Sequence, residues 1–144
     1  MEESYIESRW EHFPHEADVG VRGIGPKIAS AFEQAAVALT EVITDTGKVK
    51  PQTQVQITCD ASDNELLLVD WLNTLLYEMD TRSMLFSRFE VTIEGNKLKA
   101  SAWGQKTDVE KHAPAVEIKA ATYAELAVKQ DENCIWTAQC IVDV

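Results

Sequence analysis

Cysteine is scarce: Cys59, Cys134 and Cys140 are odd in number and none forms a Cys-x-x-Cys pair, so neither a disulfide framework nor a zinc site is indicated. Free thiols suit a reducing cytoplasm. No apolar run approaches the roughly 18 residues that span a membrane, and Met1-Glu2-Glu3-Ser4 lacks the basic-then-apolar pattern of a signal peptide. Positive charge is also short, with 13 Lys and Arg against 24 Asp and Glu, a net charge of −11. Nucleic-acid affinity comes from cations that neutralise phosphates, so strong direct binding to nucleic acid is not expected. A basic protein partner would suit this surface. The usual enzyme constellations are missing as well. There is no Gly-x-Gly-x-x-Gly after a strand, no Walker loop, no Gly-x-Ser-x-Gly elbow and no His-Glu-x-x-His.

What is present is a core-forming pattern. At 144 residues the chain fits one domain, 1–144, that buries roughly 68–70% of its unfolded surface. Trp10 to Phe13 reads as a short strand broken by Pro14, His15 to Asp18 as a loop, and Val19 to Ile24 as a weakly alternating strand. Gly25-Pro26 predicts a helix start, with Pro26 at the first helical position. Ile28, Ala31, Phe32, Ala35, Ala36, Leu39 and Ile43 then give one apolar face, and Gly47 is expected to cap the end. Val55, Ile57 and Cys59 alternate as a half-buried strand. Ser62 and Glu65 have capping-box spacing before the strongest helix, whose apolar residues run from Leu66 to Met79.

The second half is β-rich. Phe89, Val91 and Ile93 turn at Gly95-Asn96 into Leu98, Ala100 and Ala102, a hairpin pattern. Gly104 to Pro114 reads as a polar loop, Val116 to Ala120 and on past Thr122-Tyr123 as a strand, with Leu126 to Val128 continuing it or turning away, and Asp131-Glu132-Asn133 as a turn. In the last strand, Cys134, Trp136, Ala138, Cys140 and Val142 are expected on one face. Strands, two helices and then mostly strands predict an α+β two-layer sandwich, two main helices packed on one face of a mixed or antiparallel sheet.

Few residues offer chemistry. Three hard oxygen donors become available if Asp18 meets Asp143 and the terminal carboxylate of Val144 in space, since carboxylates are preferred by Ca²⁺, Mg²⁺ and Mn²⁺. His15 precedes Asp18 and reads as structural or supporting; His12 and His112 carry no convergent pattern. Asp70, Asn73 and Tyr77 share a polar strip of the second helix, readable as a partner patch or as an ordinary solvated face. The cysteines lack a base or an electropositive pocket, and read as small hydrophobes.

His15-Glu16-Ala17-Asp18-Val19-Gly20-Val21-Arg22, Ala31-Phe32-Glu33-Gln34-Ala35-Ala36, Glu65 through Asn73, Val116 through Tyr123 and the closing Ile141-Val142-Asp143-Val144 together resemble the archease family, in order and over nearly the whole chain. The resemblance implies a non-catalytic activator of the RtcB-class RNA ligase, promoting guanylylation of that enzyme and its multiple turnover in tRNA splicing and RNA repair. It further implies a divalent cation, Ca²⁺ before Mn²⁺ or Mg²⁺, held by Asp18, Asp143 and Val144. Lys119 matches the family motif and is a candidate partner-facing cation, and Asp70 and His15 are further candidates for a partner-facing or supporting role. Pro26-Lys27 and Ala124 depart from the family pattern, and Ala124 puts in doubt any side-chain role at that point. A general chaperone or adaptor, acting through apolar surface around Trp71 or Trp103, is the alternative reading.

Overall fold

The computed structural model describes residues 7–144. It has an α+β architecture in which two helices share one core with two antiparallel sheets. The first sheet contains β1 (Arg9–His15), β2 (Asp18–Gly25) and β8 (Trp136–Asp143), in the order β1-β2-β8. Two short strands, β6 (Ala120–Ala121) and β7 (Ala127–Gln130), pair with successive stretches of the far side of β8. The second sheet has the order β3 (Thr53–Asp60), β5 (Lys97–Lys106), β4 (Met84–Glu94). A run of alternating residues shows that a strand exists but not which strand it joins, so the division into two sheets appears only in the pairing.

Helix α1 (Ile28–Ile43) presents Ala31, Ala35 and Ala38 to the core. These small residues let it lie close against β2. A Cβ on Gly23 would come within 2.0 Å of the Ala31 carbonyl oxygen and 2.3 Å of the Ala35 nitrogen, so glycine is what the contact requires. Helix α2 (Asn64–Arg82) buries Leu67, Leu68, Trp71, Leu72 and Leu75. The fully buried Trp71 indole N–H donates to the Phe32 carbonyl (3.1 Å), joining the two helices.

Several boundaries differ from the sequence expectation, each for a local reason. Pro14 stays within β1, because β1 is an edge strand where a missing N–H costs little. Pro26 precedes α1 instead of entering it. The cap is Lys27, whose N–H donates to Ser30 Oγ (3.0 Å) while that hydroxyl donates back to the Lys27 carbonyl (2.8 Å). Gly47 does not end α1. The helix stops at Thr44, and Gly47 lies in a 3-10 turn where its N–H donates to Asp45 Oδ1 (2.9 Å).

Asp63, not Ser62, caps α2 by accepting from the Leu66 N–H (2.8 Å), which frees Glu65 to accept from the Val128 N–H of β7 (3.2 Å). Gly104 to Lys106 extend β5, and Val109–His112 form a single helical turn, α3, capped by Asp108. Only Ala120 and Ala121 of the expected Val116 strand are paired. They oppose Asp143 and Val142, where β8 ends, so residues before Ala120 run past its last paired position. Cys134 leaves the expected strand face: at φ 64° it completes the turn that Asp131 caps, and it is exposed.

Candidate functional site

The β1–β2 hairpin closes on the pair His15 and Asp18, with Glu16 at φ 53° starting the two-residue turn. A positive φ at that position matches the right-handed twist of the strands. Neither residue is therefore loop; both end strands. On its other side β2 pairs with β8 from Val19 opposite Val142 onward, so the same register carried one residue further sets Asp18 against Asp143. Asp143 is opposed in turn by Ala120. Directly opposed residues of antiparallel strands put side chains on one face with Cβ atoms about 4.5–5.5 Å apart. His15, Asp18 and Asp143 thus form a row across three strands, on the face away from the helices.

The row is tied at its ends. The Val144 N–H donates to Asp18 Oδ1 at 3.4 Å, a long contact that brings the Val144 main chain to the Asp18 carboxylate. The Lys119 N–H donates to the Asp143 carbonyl at 2.8 Å. Helix α2 braces this corner through Asn73, whose Oδ1 accepts from the Ala121 N–H (2.8 Å) while its Nδ2 donates to the Ala121 carbonyl (3.3 Å). Asn73 therefore belongs to the frame of the site.

The next row holds Phe13, Gly20 and Ile141. Its Phe13 ring lies across the bare Gly20, where a Cβ would meet ring carbons at 2.3 Å. Beyond it, Arg22 donates to Gln139 Oε1 (2.8 Å) and Glu11 Oε1 (2.7 Å), with its guanidinium 4.4 Å from the Phe13 ring centre. These rows fix the registers that align the acids.

Like charges directly opposed on a sheet repel. Among the described residues no ion pair reaches Asp18 or Asp143. A cation between them would offset that repulsion, and two carboxylates with the main-chain oxygen of Val144 form a hard-oxygen donor set. The side-chain donors number two. Among the described residues no three His, Cys, Asp or Glu side chains gather as a metal site, so a cation here would complete its shell with backbone oxygen and water.

Other candidates lie elsewhere. Asp70 is exposed on α2 and its charge bears on the Cys59 thiol of the second sheet, away from the row. Burial pushes the Cys59 thiol up to about 11, and that of Cys140 to about 12. Both remain protonated, poor nucleophiles. The His12 ring contacts the Ala38 carbonyl (2.7 Å). His112, buried in α3, had no signal in the sequence beyond Asp108 four residues earlier. Its Nδ1 accepts from the Asp108 N–H (2.9 Å), its Nε2 faces Gln105 Oε1 (3.0 Å), and its carbonyl accepts from the Thr44 hydroxyl.

The sequence model of the Archease protein family (MTH1598/TM1083) matches residues 10–144. The chain belongs to the archease family. It is 41% identical to protein archease of Pyrococcus abyssi over 140 residues, covering 94% of this chain and 99% of that protein. It is 42% identical to protein archease of Sulfurisphaera tokodaii over 127 residues, 87% of this chain and 91% of that protein. The solution structure of Methanobacterium thermoautotrophicum protein 1598 superposes with a TM-score of 0.82 at 32% identity, covering 94% of this chain and 98% of that one. A crystal structure from Thermotoga maritima, described as an archease and possible chaperone, shares the fold at a TM-score of 0.62 and 20% identity over 98% and 99% of the two chains. The archease row of Asp18 and Asp143 lies inside the matched segment.

Proposed function

We propose that this archease is a non-catalytic activator of an RtcB-class RNA ligase, promoting the ligase's guanylylation and multiple turnover in tRNA splicing and RNA repair. Asp18, Asp143 and the main-chain oxygen of Val144 hold a divalent cation, Ca²⁺ by preference for hard oxygens, with Mn²⁺ and Mg²⁺ as substitutes. When bound, the cation supplies positive charge that neutralises the carboxylate pair. His15 flanks the pair, Lys119 is exposed at its side, and Asn73 holds the β6 segment against the end of β8.

One observation carries this reading: the pairing of β2 with β8 ends at Val19 and Val142, leaving Asp18 and Asp143 next to it at the strand ends, and the Val144 N–H contacts Asp18 Oδ1, with no ion pair to either acid among the described residues. A ligase as the partner class is what the resemblance to archeases implies, and the −11 charge of the chain suits a basic partner. The proposed setting is the cytoplasm; no helix among the described residues is long and apolar enough to cross a membrane. The chaperone reading is less well supported. Trp71 is 0% exposed, and Trp103 is half-buried with the Arg88 guanidinium 4.6 Å from its ring centre, so neither opens an apolar surface. Substoichiometric archease should raise multiple-turnover ligation by purified RtcB-class ligase, while the archease alone ligates nothing. Equal suppression of aggregation of unrelated clients, with no effect on the ligase, would reverse the assignment.

A further inference from the structure

A groove of about 420 Å³ runs between the C-terminal half of α2 and the extended segment 116–119. Its floor is apolar, built from Leu76, Met79, Met84 and Ile118. Two of the large apolar side chains that the surface leaves most open stand on its walls, Tyr77 at 64% exposed and Val116 at 41%. Asp80 on the helix wall and Glu117 on the opposite wall rim the same groove, and neither enters an ion pair among the described residues. The groove ends at Lys119, whose backbone N–H donates to the Asp143 carbonyl, so its wall is tied to the strand end that carries the acidic row on the other face.

We propose that this groove docks a segment of the partner ligase that carries a large apolar side chain next to an arginine. The inference rests on the ligase reading given above. The apolar side chain covers the floor, where unbranched, polarisable methionines adapt to an incoming shape. The arginine lies between Asp80 and Glu117: a guanidinium presents donors in several directions and can serve carboxylates on two walls. The open Tyr77 ring adds a surface on which that cation stacks. A groove of this volume falls within the range of sites that take a side chain or a short segment. Engaging it would place the partner against the segment whose Lys119 N–H holds the Asp143 carbonyl.

Three substitutions test the assignment: Tyr77→Ser, Asp80→Lys and Glu117→Lys, all at exposed positions that leave the core intact. Affinity for the purified RtcB-class ligase is measured by calorimetry, alongside Ca²⁺ affinity and sedimentation of the archease alone. Each variant is expected to bind the ligase about tenfold or more weakly, as for truncation of an anchoring interface residue, with Ca²⁺ binding and melting temperature unchanged. Ligase binding by all three variants at wild-type strength would overturn the groove assignment and leave the function proposal standing. Wild-type protein that does not bind the ligase at all would overturn the function proposal and the occupant with it. Concentration-dependent dimerisation that the variants abolish would make the occupant a second copy, and so overturn the assignment too.

Discussion

Replacing Asn73 with alanine removes the only side chain of α2 that holds β6 by two hydrogen bonds, one of 2.8 Å from the Ala121 N–H and one of 3.3 Å to its carbonyl. Each such bond contributes about 1 kcal/mol net, and the half-buried amide left without an acceptor adds part of its desolvation cost, for a total loss of about 2–3 kcal/mol. A chain of this length has on the order of 7–20 kcal/mol of stability in hand, so the variant stays folded and the effect can be read locally. Urea denaturation should show the loss, and hydrogen exchange should show where it arises: the Ala121 amide loses protection while the centre of α2 does not. Asn73→Asp supplies an internal control. It keeps an acceptor for the Ala121 N–H but sets an oxygen against the Ala121 carbonyl, so it should retain amide protection and still be destabilised. Because Ala120 opposes Asp143, loosening β6 should also weaken cation binding at the row in Asn73→Ala. Unchanged Ala121 exchange, or a stability change under about 0.5 kcal/mol, would refute the bracing role.

Gly23→Ala should be far more costly than Gly20→Ala, since the first Cβ meets the α1 backbone and the second only the Phe13 ring. We expect about 3 kcal/mol or more against about 1–2 kcal/mol by chemical denaturation, with Phe13→Ala relieving only the Gly20 variant. Glu33 has its pKa raised, chiefly by burial and secondarily by Glu90, against the lowering effect of the hydrogen bond it accepts from the Val91 N–H. A raised carboxylate makes folding less favourable as pH climbs from the unfolded value near 4.5 through the folded one. Glu33→Gln should therefore be stabilised relative to wild type at pH 7, with the difference vanishing in acid, as followed by urea titrations at several pH values. Iodoacetamide at pH 8 should modify the exposed Cys134 alone in the native protein, with Cys59 and Cys140 reacting only in urea, read as adducts by mass spectrometry.

The α+β class and the two long helices were legible because their apolar residues recur at helical spacing whatever their partners turn out to be. Cap positions were less so. Ser62 and Asp63 both offer an N-cap oxygen, and only the geometry of the chain entering α2 favours Asp63. The split into two sheets, and the shortness of β6, follow from where β8 ends; that is a long-range fact with no local signature. Asp18 and Asp143 could be named from the sequence, yet their alignment depends on the pairing of strands more than a hundred residues apart. Asn73 shows the opposite difficulty: its place on a polar helical strip suggested a partner patch or an ordinary solvated face, whereas it holds the backbone of a strand 48 residues away. The groove escaped sequence reading entirely, because its two walls come from segments whose adjacency no periodicity reveals.

In the proposed function the Asp18–Asp143 pair holds the cation through which this archease activates its ligase. A single-turnover guanylylation assay of the RtcB-class ligase, run with wild type, Asp18→Asn and Asp143→Asn across Ca²⁺ and Mn²⁺ titrations, tests it most directly. Wild type should accelerate guanylylation in a cation-dependent way, and each variant should lose that acceleration together with cation binding. Full activation by Asp18→Asn, with cation binding retained, would contradict it.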